Sequence, residues 1–147
     1  MDSNDKHHDI CKALAEIKKL QDFIVESKTP YFGNLLARIV DADTIPFLLQ
    51  TNEGFLGIMG SHEVNGEKEY FFTKFFRIES INMRSCSATI SLLLPIDIHG
   101  NTTDSIDEVM ILRKTSIRRE IDLSGIFAIQ ALDTKFLKRK IIIQPKW

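Results

Sequence analysis

The sequence predicts a mainly β protein, an antiparallel β-sandwich of jelly-roll type preceded by one N-terminal α-helix. Three observations carry that reading. From Ile45 onward, short apolar and aromatic bursts recur between turn residues, with no alternation of strand and helix patterns. Several bursts alternate polar and apolar residues, as a strand wet on one face does. Only residues 10–26 carry a clear helical period.

The opening residues, MDSNDKHHD, are polar and aperiodic and read as a flexible arm. His7 and His8 there lack converging ligands, so solvated histidines are expected rather than a metal site. Ile10, Ala13, Ile17, Leu20 and Ile24 then recur at spacings of three and four, which places them on one helix stripe. Asp9 is the expected N-cap, and Lys12/Glu16 and Lys18/Asp22 are opposite charges at i, i+4. Pro30 sets the latest end, because the residue before a proline is pushed from the α region. A helix this short needs a surface to pack on, either its own domain or a neighbouring subunit. The division is therefore residues 1–29, arm and amphipathic helix, and 30–147, the β-sandwich domain. Tyr31–Thr44 fits a helix or a hairpin equally and stays open.

Strands are expected at Ile45–Thr51, Phe55–Ser61, Glu69–Thr73, Phe75–Ile81, Ser87–Leu94, Val109–Arg113, Ile117–Leu123, Ile126–Leu132 and Lys140–Gln144. Asn52-Glu53-Gly54, Asn65-Gly66-Glu67, Asn82-Met83-Arg84 and His99-Gly100-Asn101 supply the turns between them. Ile90–Leu94 and Ile126–Leu132 are almost continuously apolar, as strands covered on both faces are. Phe71-Phe72, Phe75-Phe76 and Ile141–Ile143 put apolar residues at successive positions, so both sheet faces need cover. A neighbouring subunit is one candidate for that cover.

The 147 residues suffice for a core without a metal or disulfide staple. With 19 Lys+Arg against 20 Asp+Glu, net charge gives no argument for a nucleic-acid partner. No apolar run approaches a membrane span, and the N-terminus has acids where a signal peptide has bases, so no membrane association is expected.

No catalytic, cofactor-binding or metal constellation emerges. The chain lacks a GxSxG elbow, an HExxH motif, a P-loop and a dinucleotide glycine cluster. Ser61-His62-Glu63 reads as a surface turn, since consecutive side chains do not converge on one proton. His62 and His99 lie in apparent loops, and Asp107-Glu108 in a solvated connection. No enzyme activity and no cofactor is expected. The segment Lys135–Lys140, with Lys146 and Trp147 beyond, is basic and interleaved with aromatics. It reads as a guarded approach to an edge strand at Ile141–Ile143, the alternative being a site for a glycan or anionic polymer.

Three blocks carry a resemblance: TIPFLLQT at 44–51, FFRIESINMRSCSATISLLLPID at 75–97 and RKTSIRREIDLSGIFAIQAL at 113–132. Together, in this order and separation, they resemble the spore-coat protein Y/Z family, over roughly Asp9 to Leu137. The resemblance implies a non-catalytic structural protein of the spore surface, in the outer coat, crust or exosporium, made in the mother-cell cytoplasm. It implies a self-assembling lattice subunit, or a specialised relative anchoring another component to that layer, with itself and other coat or exosporium proteins as partners. Apolar assembly contacts are then expected from Ile10, Ile17, Leu20, Ile24, Ile141 and Ile143.

The family's cysteine richness is missing. Arg118, Gly125, Phe127 and Ala131 stand where relatives commonly carry cysteine, and Ser87 stands at another such position with Cys86 one residue earlier. Cys11 and Cys86 permit one bond within a chain or up to two links to neighbours, with two buried reduced thiols the simpler expectation.

Overall fold

The computed structural model describes residues 3–26, 44–132 and 142–144. It is mainly β, with curled antiparallel sheets in a sandwich-like arrangement and one N-terminal helix, as the sequence predicts. The elements are α1 (Ser3–Glu26), β1 (Phe47–Thr51), β2 (Gly54–Phe55), β3 (Ile58–Val64), β4 (Glu67–Thr73), β5 (Phe76–Asn82), β6 (Ser87–Ile96), β7 (Ile111–Asp122), β8 (Ala128–Ala131) and β9 (Ile142–Gln144). Short 3-10 turns lie at Ile106–Glu108 and Leu123–Gly125.

The larger sheet runs β2-β1-β5-β6-β7-β9, with β8 also pairing β1. Its pairings are antiparallel except β7 with β9, which is parallel from Ile111 opposite Ile142. Strands β3 and β4 form a separate ribbon, turned at Asn65 (φ 53°) and Gly66 (φ 80°). Consecutive positive φ angles there match the twist that a two-residue hairpin needs.

Strand β6 is the spine. Every residue from Ile90 to Ile96 is buried, so the near-continuous apolar run is a central strand as expected. Ile90, Leu92, Leu94 and Ile96 join Phe47, Phe76 and Ile78 on one face, where Ile10, Cys11 and Leu14 of α1 and Phe71 of the ribbon cover them. Leu93 faces the other way, with Leu48, Phe75, Val109 and Leu112. Both faces are thus covered from within the chain, and Phe71, Phe75 and Phe76 need no neighbouring subunit.

Several expected boundaries move. The helix starts at Ser3, so residues 3–9 are helical rather than an unstructured arm, and Asp9 lies inside α1 rather than at its cap. The strands expected at Val109–Arg113 and Ile117–Leu123 are one long strand, β7. Its register against β6 shifts between Ser91 and Leu93, and the Thr115 hydroxyl donates to the Leu92 carbonyl at 2.6 Å across that irregularity. The polar Lys114-Thr115-Ser116 stretch is therefore a bulge, not a break. Ile126–Leu132 is not a central strand: β8 is short, only Ile126 of this stretch is buried, and Gln130 and Ala131 are exposed. Ser61, His62 and Glu63 sit in β3 rather than in a turn. Tyr31–Asp43 and the basic segment Lys135–Lys140 lie outside the described residues.

Candidate functional site

The most constrained feature is the seam between α1 and the large sheet. The helix face it uses is Ile10, Cys11, Leu14, Ile17 and Gln21. Spacings of three and four still hold, but the stripe is rotated from the expected one. Ala13 is exposed and Leu20 is 60% exposed, so neither lies on the seam. Ile10 is buried in the chain's own core, and Ile17 packs against that core while partly exposed. The Ile24 and Ile143 side chains and all of Ile141 lie outside the described residues; the Ile143 backbone pairs with Leu112.

Gln21 is 2% exposed and fully satisfied. Its side-chain amide donates to the Ile78 carbonyl at 2.9 Å, and its oxygen accepts from the Ile45 N–H at 3.3 Å. Ile78 adjoins the register shift of β5 against β6, where Glu79 is the extra residue. Bulges leave backbone groups off the ladder, and here a helix side chain takes one of them.

Cys11 and Cys86 form a disulfide with Cα atoms 5.7 Å apart, in place of the expected pair of reduced thiols. Apolar periodicity could not show this, since the bond depends on α1 lying across the β5–β6 turn. Cys86 occupies a left-handed position there (φ 53°), and its carbonyl accepts from the Leu123 N–H at 3.0 Å. Cys86, one residue before Ser87, therefore lies in the turn rather than in the strand, and β6 pairs with β7 without a shift from Ser87 to Ser91. Among the described residues no cysteine remains free.

The four positions where the resemblance leads one to expect cysteine are all surface positions. Arg118, Gly125, Phe127 and Ala131 are exposed, Phe127 by 55%. Arg118 extends to Glu79 at 3.4 Å, and Glu79 also takes Arg77 at 2.6 Å and the Ser91 hydroxyl at 2.8 Å. A charged cluster thus bridges β5, β6 and β7. On α1, Lys18 pairs with Asp22 as expected, whereas Glu16 pairs with Lys19 at 3.3 Å rather than with Lys12.

His62 and His99 have separate surroundings. His62 meets the Phe71 ring edge-on at 5.5 Å, while the His99 N–H donates to Asp97 in a loop. Among the described residues no group of three His, Cys, Asp or Glu is placed to hold a metal, and no helix is long and apolar enough to cross a membrane. An open groove of about 500 Å³ lies between the ribbon and the loop after β6, lined by Met59, Tyr70, Phe72, Asp97, Asp104 and Glu108 among others. Its walls carry carboxylates and no base, the wrong sign for an anionic polymer.

No family model matches the chain. No solved structure matches it either. Spore coat protein Z of Bacillus subtilis (strain 168) is 35% identical over 136 residues, spanning 87% of this chain and 90% of the relative. Identity at that level over most of both lengths is a whole-chain likeness, not one shared motif. The chain belongs to the spore-coat protein Y/Z family.

Proposed function

We propose that this chain is a structural protein of the bacterial spore surface, a self-assembling subunit of the coat, crust or exosporium or an anchor for another component of that layer. The observation that carries the reading is the 35% identity to a spore coat protein along almost the whole of both chains. The site chemistry agrees with it. Polar side chains in the structure serve the fold: Gln21 ties helix to sheet, Thr115 closes a bulge, and Glu79 holds two arginines. No catalytic role is assigned to any of them. Partners are copies of the chain and other proteins of the same layer.

In this reading the assembly is held by non-covalent contacts. Its two cysteines are joined within one chain, and its remaining family cysteine positions carry Arg118, Gly125, Phe127 and Ala131. Exposed Phe127, with Tyr70 at 64% and Ile98 at 74%, offers apolar surface for such contacts.

Two measurements test the reading together. Immunogold labelling of spore sections should place the chain at the surface layers, and negative-stain images of concentrated protein should show sheets, rings or fibres. Label confined to the spore core overturns the location, and dispersed monomers overturn self-assembly.

A further inference from the structure

We propose that Cys86 is a thiol-exchange site: low-molecular-weight thiols open the Cys11–Cys86 bond by attack on the Cys86 sulfur and remain there as a mixed disulfide. The two sulfurs of this bond sit in unequal surroundings. Cys11 is wholly buried on the inner face of α1, packed with Ile10, Leu14 and the sheet. Cys86 is only partly buried, and the four residues before it, Asn82, Met83, Arg84 and Ser85, are exposed. Their turn is fixed by the Asn82 side chain, which accepts from the Arg84 and Ser85 N–H groups.

Thiol–disulfide exchange needs the attacking sulfur in line with the bond it breaks, on the side away from the leaving sulfur. Cys11 is wholly buried and Cys86 is only partly so, which makes Cys86 the half of the bond that an incoming thiolate can reach from solvent. Arg84, two residues from Cys86, adds a positive charge that favours an incoming thiolate.

The step balances without an outside oxidant. The thiolate sulfur bonds to Cys86 Sγ, the disulfide breaks, and its electron pair leaves on Cys11 Sγ, which takes the proton the incoming thiol gave up. The products are a mixed disulfide on Cys86 and a buried Cys11 thiol. Reversal regenerates the bond and expels the small thiol. In the opened form α1 keeps only its non-covalent hold, through Ile10, Leu14, Ile17 and Gln21.

The test exposes the folded chain to excess reduced glutathione, blocks free thiols by alkylation at low pH, and locates the adducts by peptide mass spectrometry. Glutathione should be on Cys86 at least tenfold over Cys11, with Cys11 recovered alkylated, and the preference should fall to near unity in urea-unfolded protein. Hydrogen exchange of the α1 amides should rise at least tenfold in the adduct while the β6 amides keep their protection. Adducts divided evenly between the cysteines in folded protein, a majority on Cys11, an intact bond with no adduct, or the same tenfold bias in the unfolded chain would each overturn the assignment.

Discussion

The side chain of Gln21, in the last quarter of α1, reaches the carbonyl of Ile78 at 2.9 Å where β5 slips one residue against β6. A buried amide spanning a helix and a sheet fault orients the helix as apolar contact alone does not, because hydrogen bonds have direction and methyl groups do not. Replacing Gln21 by Leu keeps the volume and leaves the Ile78 carbonyl and the Ile45 N–H without this partner. Stability should fall by about 1–3 kcal/mol, the cost of a buried unsatisfied group, read as a lower urea midpoint at unchanged slope.

The ribbon lies close against the spine at Gly60. A Cβ built there would stand 2.7 Å from the Phe71 ring and 2.9 Å from a Leu92 methyl, both on buried side chains. Gly60→Ala should therefore destabilise by about 1–3 kcal/mol through overpacking. The same substitution at Gly125, where a Cβ meets nothing within 4 Å, is the control and should stay within roughly 0.5 kcal/mol.

Glu79 accepts from Arg77, Arg118 and Ser91 with a side chain only 14% exposed. Glu79→Gln keeps the shape, removes the charge and leaves Arg77, itself 18% exposed, beside a neutral amide. A loss of about 1–3 kcal/mol is expected, less than for a fully buried pair because Arg118 remains wet. The Arg118→Ala variant, which removes only the exposed partner, should cost under about 1 kcal/mol. Thermal denaturation of both variants checks the order.

Association should survive reduction. Light scattering with and without a dithiol reductant, on wild type and on a Cys11→Ser/Cys86→Ser variant, should give the same assembled mass. An apolar interface of roughly 1,600 Å² can hold without covalent help. Collapse to monomers under either condition would show that sulfur links the copies.

His99→Ala should change stability by no more than about 0.5 kcal/mol, and His62→Ala by about 0.5–1.5 kcal/mol through the lost edge-on contact with Phe71. Neither should alter assembly. A transition metal that copurifies with wild type and disappears from either variant would contradict the absence of a metal role.

Much of the fold is legible in the sequence because turns announce themselves chemically. Asn65-Gly66 and Gly100 sit at positive φ where the sequence expects turns, and Ile90–Leu94 is the buried spine that its unbroken apolar run suggests. What escapes are features that hydrophobic periodicity does not encode. The helix stripe is misphased by counting Ala13 and Leu20 as inward and passing over Cys11 and Gln21, whose burial rests on a covalent bond and two hydrogen bonds. The unity of β7 is hidden by a polar stretch that one threonine hydroxyl accommodates. The cover over the aromatic pairs is invisible for a third reason: it comes from α1 and from the opposite sheet face, which are distant in the chain.

The tie between Cys11 and Cys86 also sets how the molecule carries tension. Its sulfurs are separated by 75 positions in sequence, so a pull on the N-terminus passes directly from α1 into the β5–β6 turn. Strands β1 to β5 lie within the loop that the bond closes, so the covalent path bypasses them. At roughly 3.5 Å per extended residue, about 260 Å of chain stays slack-proof while the bond is closed. A chain pulled at its two ends therefore lengthens only through the portion after Cys86 and keeps a short, stiff path before it.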